Sequence, residues 1–373
     1  TNYNAYTGSA AKCTVTISNS TAYSVLFSRT SGNVTLSMKN NIKRWDDTIE
    51  WTDGTKAWEE WDGTTTLKAN RIYLRGIGNT KMTGYVYNIS TSGGYFVISG
   101  DSVSCTGNIE ALLDYQKVKN GQHPAMAGGA FYYLFYRCST IISAPSLPAT
   151  SLTTDCYNSM FLECSSLASA PTLPATTLAS ECYKQMFQSC TSLKTPPSLP
   201  ATTLANNCYE NMFYYAGLTT APALPATTLA SACYRSMFYG CSFTSAPALP
   251  ATTLTDYCYQ NMFTLCMNLI KPPALPATTM TQYCYRNMFS YCTSLTTLPN
   301  LPATTIAYDC YCYMFRGCSK IYLSSTKTGS YTYNYRIPKS GTSSYGSNGP
   351  LQDMFLETGG TFTGTPNLNT TYY

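Results

Sequence analysis

The dipeptide Leu-Pro recurs at Leu147, Leu173, Leu199, Leu224, Leu249, Leu275 and Leu301, in steps of 26, 26, 25, 25, 26 and 26 residues. Met-Phe keeps the same beat at Met160, Met186, Met212, Met237, Met262, Met288 and Met314. No other feature restricts the chain so tightly. A unit of this length cannot bury its apolar face alone, and self-similarity at such a period predicts a solenoid in which each copy stacks on its neighbours.

Within one copy, Leu178, Cys182, Met186 and Cys190 sit four apart, with Tyr183 and Phe187 widening the stripe. Glu181, Lys184, Gln185 and Gln188 between them are polar. This pattern predicts about three turns of amphipathic helix with Leu, Cys, Met and Phe facing inward. Thr176 and Thr177 supply hydroxyls suited to capping its start. After Cys190 a turn leads to Pro196, Pro197 and Pro200. Each proline removes a donor, so the pattern predicts a very short parallel strand or extended ribbon there rather than a broad sheet.

Phe-x-x-Cys followed three residues later by Leu, as in Phe161–Leu167, Phe187–Leu193 and Phe289–Leu295, resembles the BspA-type leucine-rich repeat. The copies here are longer than the usual form, with proline where that repeat commonly has β-branched residues. The fuller Leu-Pro-Ala-Thr-Thr…Cys-Tyr-x-x-Met-Phe version resembles surface and prophage-encoded proteins of gut bacteria and their phages. The resemblance covers about half the chain and implies an adhesive role.

Residues 1–110 have another texture. Alternating runs at Cys13–Ile17, Val34–Met38, Arg71–Arg75 and Tyr95–Ser99, broken by Gly and Asn, predict antiparallel β structure of a sandwich-like kind. The expected organisation is therefore α+β. An antiparallel β domain (1–110) leads through a junction and capping repeat (111–140) into a right-handed leucine-rich-repeat-like solenoid (141–322) and an irregular C-terminal cap (323–373). In the junction, Gly107–Leu113 reads as a short helix, and Phe131–Cys138 as a first copy lacking Leu-Pro. Near the end, Asp353-Met354-Phe355 echoes the repeats.

Charged residues make up only 11% of the chain, against roughly 25% in average soluble proteins, while tyrosine is abundant with 33 copies. A net charge of +5 without a basic run argues against nucleic acid. No apolar run approaches the ~18 residues that span a bilayer, so membrane insertion is not expected. The start at Thr1 carries no signal-peptide pattern, which implies a targeting segment already removed or another export route.

The 17 cysteines invite a disulfide reading. On a helix, Cys182 and Cys190 would lie about 12 Å apart. Equivalent cysteines on packed helices would lie roughly 8–10 Å apart, beyond the ~7 Å reach of a bridge. Ala216 also stands where the copy holding Cys208 should have its second cysteine. Free, buried cysteines are therefore expected, and metal sites are not, since no histidine joins them.

All four tryptophans, Trp45, Trp51, Trp58 and Trp61, fall among Asp46, Asp47, Glu50, Asp53, Glu59, Glu60 and Asp62. Such a segment can form a sugar platform or calcium-assisted lectin site, but a hairpin whose tryptophans alternate into the core explains it more simply. The single histidine, His123, sits beside Pro124 in a linker-like stretch and reads as structural. Asn19, Asn33, Asn88 and Asn369 head Asn-x-Ser/Thr acceptor patterns that arise easily in Thr-rich sequence. Leu-Pro-Ala-Thr-Thr lacks the glycine of a sortase signal and recurs internally.

No nucleophile–base pair, P-loop or Rossmann glycine pattern is present, so the chain reads as a non-enzymatic protein without cofactors. Residues that vary between copies flank Cys-Tyr and follow Met-Phe, and tyrosine and arginine recur among them. Hot spots favour these residue types, which marks Arg235, Tyr257, Tyr283 and Arg286 as candidate contacts on the helical face, with the Trp45–Trp61 segment as the alternative. The expected role is recognition or adhesion at an extracellular, cell or virion surface. The partner would be a host glycan or surface protein, or neighbouring subunits of an assembly. The alternative is a structural virion or surface-layer component with the repeats as spacer; the oligomeric state is left open.

Overall fold

The computed structural model describes residues 20–85, 94–341 and 349–373. Its named elements are mainly strands, with very few helices and no closed barrel, so the class is α+β with β predominating. The run Cys13–Ile17 lies outside the described residues, as do Asn19 and Asn88.

The N-terminal part contains β1 (Val25–Ser28), β2 (Val34–Met38), β3 (Thr48–Thr52), β4 (Glu59–Glu60), β5 (Leu67–Ala69), β6 (Arg71–Ile77), β7 (Phe96–Ser99) and β8 (Val103–Gly107). After them come helix α1 (Ala111–Lys119) and β9 (Ile141–Ser143). One sheet runs β4-β3-β6-β1-β8-β9 and a second β5-β2-β7; the pairs are antiparallel except for β8–β9. Period-two alternation works as expected: Val34, Leu36 and Met38 are buried while Thr35 and Ser37 between them are partly exposed. The two sheets meet through Phe27 and Phe96, packed edge to face at 5.7 Å. The helix starts at Ala111, later than the expected Gly107–Leu113, because Val103–Gly107 pairs with β1 as a strand.

The core does not stop at residue 110. Phe135, in the first copy, packs on both Phe27 and Phe96 and lies 5.1 Å from Phe161 in a parallel stack. From there a column of phenylalanines continues through Phe187, Phe213, Phe238, Phe263, Phe289, Phe315 and Phe355, each pair within 15° of parallel. A second column runs from Phe131 through Tyr157 to Tyr311, with centroids 5.6–5.9 Å apart.

The three-turn helix expected in each copy does not form. In residues 155–164 the N–H groups of Asp155, Tyr157, Ser159, Phe161 and Glu163 donate to the next copy, at Ser180, Cys182, Lys184, Met186 and Gln188. The alternate N–H groups of Cys156, Asn158, Met160, Leu162 and Cys164 close tight turns onto carbonyls three residues back. Every fourth residue adopts a positive φ: Asp155 at 56°, Ser159 at 55° and Glu163 at 61°. That left-handed step undoes the coiling a helix would accumulate and frees alternate donors to bond between copies. The buried positions thus recur at a true period of four, which sequence reading mistook for the 3.6 of a helix.

Elsewhere in each copy the pairing is as short as the prolines require. Single parallel bridges join Ser143 to Ser169, Ser151 to Thr177, Thr203 to Thr228, Ser245 to Lys271 and Thr253 to Thr279. Thr176 and Thr177 cap no helix; their N–H groups both donate to Thr150 O.

Both ends of the stack are closed. At the first copy, Gly129, Ala130 and Leu134 carbonyls accept from Gly84, Met82 and Phe96 of the N-terminal part. The echo at Asp353-Met354-Phe355 proves to be a further copy, since Tyr311, Tyr313, Phe315 and Gly317 donate to Pro350, Gln352, Met354 and Leu356. Its own outward N–H groups are met by the tail: Phe355 N donates to Gly364 O, and Asp353 N to Thr365 Oγ1. Short strands brace the tail: β10 (Thr305–Ile306) pairs with β13 (Ser340–Gly341), β11 (Tyr322–Leu323) with β14 (Gly359–Gly360), and β12 (Tyr335–Arg336) with β15 (Thr371–Tyr372).

Candidate recognition surface

Tyr257 and Tyr283 occupy the same positive-φ step in successive copies, which brings their rings into register. Tyr257 and Tyr283 stack at 4.6 Å, and Tyr308 packs edge-on against Tyr283 at 5.1 Å. The Arg286 guanidinium lies 5.4 Å from the Tyr283 ring and 6.0 Å from Tyr313; Arg316 spans Tyr313 and Tyr291. Three of the four candidate contacts, Tyr257, Tyr283 and Arg286, therefore form one cluster. Arg235 stands apart from these three.

Both arginines are committed to carboxylates that sequence reading missed, because the partners sit one copy away. Arg286 Nη1 donates to Asp309 Oδ2 at 2.7 Å, and Arg235 Nε to Glu210 Oε1 at 2.8 Å. Lys184 approaches Glu210 from the other side at 3.3 Å, so charges from three successive copies interlock. Burial raises the Asp309 pKa, and Arg286 pulls it partly back. The Tyr283 hydroxyl is pushed up to about 12, first by its hydrogen bond with Tyr308 and then by burial. A second cluster joins Tyr214, Tyr215 and Tyr239, with Tyr214 and Tyr239 stacked at 4.5 Å.

The tryptophans divide. Trp45 and Trp61 are core residues 5.3 Å apart that flank the β3–β4 hairpin instead of alternating along its strands. Trp51 and Trp58 are only partly buried. Lys56 Nζ lies 3.4 Å over the Trp51 ring, while Arg75 lies between Trp58 and Tyr115 and donates to Glu50. The segment's acids serve turns: Asp46 accepts from Thr80, Asp53 from Thr55 and Asp62 from Thr64. His123 Nδ1 pairs with the buried Glu110 carboxylate at 2.8 Å, tying the linker to the start of α1.

Sixteen cysteines among the described residues are free and buried. The separation argument fails, however: directly bonded copies lie about one ladder step apart, ~4.8 Å, not the 8–10 Å of packed helices. The second cysteine of a copy has a positive role instead. Cys164, Cys190, Cys241, Cys266, Cys292 and Cys318 each donate Sγ–H to a phenylalanine carbonyl of the preceding copy, at 3.0–3.2 Å.

No group of three or more His, Cys, Asp or Glu side chains converges as metal ligands among the described residues, and no helix there is long and apolar enough to cross a membrane. No family profile, curated protein or solved structure matches the chain.

Proposed function

We propose that the stacked copies form a right-handed solenoid of BspA-type character and that the chain is a non-enzymatic recognition protein working at a cell or virion surface. The observation carrying this reading is the in-register cluster of Tyr257, Tyr283, Tyr308, Tyr313 and Arg286. A spacer gains nothing from gathering ring edges, hydroxyls and a guanidinium on one side, whereas a protein or glycan partner is met by these groups. The buried Phe and Tyr columns would hold that surface rigid, so little ordering entropy is lost on contact.

The test is attachment of the labelled chain to immobilised extracellular glycans and surface proteins. On whichever surface it binds, replacing Arg235, Tyr257, Tyr283 and Arg286 by Ala should weaken attachment about tenfold or more, equivalent to roughly 1.4 kcal/mol. Both arginines also neutralise buried carboxylates, so Tyr257→Ala with Tyr283→Ala serves as the second variant, with circular dichroism confirming the fold. Unchanged attachment, with loss on replacing Trp51 and Trp58, would move the site to the N-terminal strands. Unchanged attachment in all of these would favour the structural role.

A further inference from the structure

The repeats lose their regularity at one place, beside the C-terminal tail. Leu298-Pro299 stands where other copies have Ala-Pro or Pro-Pro before the Leu-Pro step is reached, and Tyr322 occupies the position of Thr296 in the previous copy. These departures coincide around a cavity of about 250 Å³ lined by Tyr322, Tyr333, Tyr373, Leu298, Thr296 and Thr297, among others. A second hollow of about 290 Å³ adjoins it and shares Tyr322, Tyr333 and Tyr373. The two make a cleft divided by tyrosine rings, each half near the ~300 Å³ lower bound of ligand pockets.

The rings here differ from those on the ribbon. Tyr322 and Tyr333 are 65% and 64% exposed, and among the described residues neither stacks on another ring, so their faces are open. Tyr322 and Tyr373 are held from behind. Tyr322 lies in β11, paired with β14, where a Cβ on Gly359 would come within 2.9 Å of the Tyr322 ring; the ring is seated on that glycine. Tyr373 is pinned by reciprocal backbone bonds with Ser324. The Thr296 hydroxyl donates to Ile270 O at 3.4 Å, which turns its lone pairs outward. No side chain lining either hollow carries a charge.

We propose that this cleft is a binding site for a neutral saccharide, one pyranose ring lying on Tyr322 and a second unit reaching Tyr333. The weakly positive C–H face of a pyranose is attracted to the negative face of an aromatic ring, while its hydroxyls take the threonine and tyrosine oxygens at the rim. A charged ligand would find no side-chain counter-charge and would lose its hydration without that compensation. The site is separate from the ribbon cluster and does not depend on it.

Saturation-transfer NMR on the whole chain tests this, with glucose, galactose, mannose and N-acetylglucosamine, their neutral trisaccharides, galacturonic acid and a proline-rich peptide as probes. At least one neutral sugar should receive saturation at millimolar concentration, strongest on the protons of one ring face. Tyr322→Ala or Tyr333→Ala should weaken its binding at least tenfold, Tyr322→Phe, which keeps the ring, clearly less, and the Tyr257→Ala/Tyr283→Ala pair should leave it unchanged. Silence of every neutral sugar overturns the proposal, as does binding insensitive to both alanine variants. Preference for galacturonic acid or the peptide overturns it too.

Discussion

Tyr257 and Tyr283 face each other with planes only 9° apart. Stacking along the direction of repetition covers the two apposed ring faces, so a partner of the ribbon meets edges and hydroxyls there. Replacing both by Phe keeps the stack and removes only the hydroxyls. That pair should lose attachment nearly as far as the alanine pair, about tenfold, in the same immobilised-surface assay. Attachment at the level of the unaltered chain would assign the contact to apolar ring edges.

The left-handed steps give a second test, because they reverse what a helix would do. Asn261 has a φ of 56° and donates its N–H to Arg286 O. Asn261→Gly should change stability by no more than about 0.5 kcal/mol, whereas Asn261→Val should cost about 1–2 kcal/mol, because a β-branched side chain is strained there. In a helix glycine would be the harmful change, by about 1 kcal/mol against a good helix former. Urea unfolding of the two variants distinguishes the cases.

The gap at Ala216 is the third. Neighbouring copies place a thiol there that donates to a phenylalanine carbonyl of the preceding copy; at Ala216 the corresponding Phe187 O goes without one. Ala216→Cys should supply that donor and raise stability by about 0.5–1.5 kcal/mol. A lowered unfolding midpoint would mean the pocket at Ala216 has closed and cannot accept sulfur.

Acid should separate the two parts of the molecule. Burial raises the carboxyl pKa of Glu110, Asp155 and Asp309. Each binds its proton more readily folded than unfolded, so stability is fullest below the unfolded value of about 4 and is lost as pH rises through the folded pKa. The opposite holds among the tryptophans. Backbone and hydroxyl hydrogen bonds from Thr55 lower Asp53, and those from Thr64 lower Asp62. Burial pushes Asp46 up, but its hydrogen bonds from Thr80 outweigh this and leave it lowered. These three stabilise above about pH 4, and their contribution disappears as pH falls through their folded values. Titrated below pH 4, tryptophan fluorescence should therefore change before the far-ultraviolet dichroism of the copies collapses. Coincident loss of the two signals would show that the shared core enforces a single transition.

Much of this architecture could be read before the structure was known. The beat gave the in-register copies, the prolines gave single-bridge pairing, and the Met-Phe echo marked the last copy. The ribbon was misread because Leu178, Cys182, Met186 and Cys190 satisfy i, i+4 without i+3. On a real helix a strict four-residue spacing drifts around the axis, and that drift was the available warning. A second was the run of Asn211, Asn261 and Asn287 at one position, since asparagine tolerates the left-handed region. Arg235–Glu210 and Arg286–Asp309 were invisible because each joins residues 23–25 apart, and only the stacking register makes them neighbours. Tyr333 fell beyond the last aligned copy, and Tyr322, though it aligns with Thr296, stood where the pattern fades.

The alternating bonds have a consequence for how such a gene can change. A one-residue insertion in a ribbon would hand every following donor to the wrong neighbour, whereas gain or loss of a whole copy leaves each bond and both closed ends as they were. On the proposed solenoid, duplication or excision of complete units should therefore be tolerated, each moving the tail cleft about 4.8 Å nearer to or farther from the N-terminal strands. In the proposed solenoid, length could be reset in uniform increments without redesigning either end.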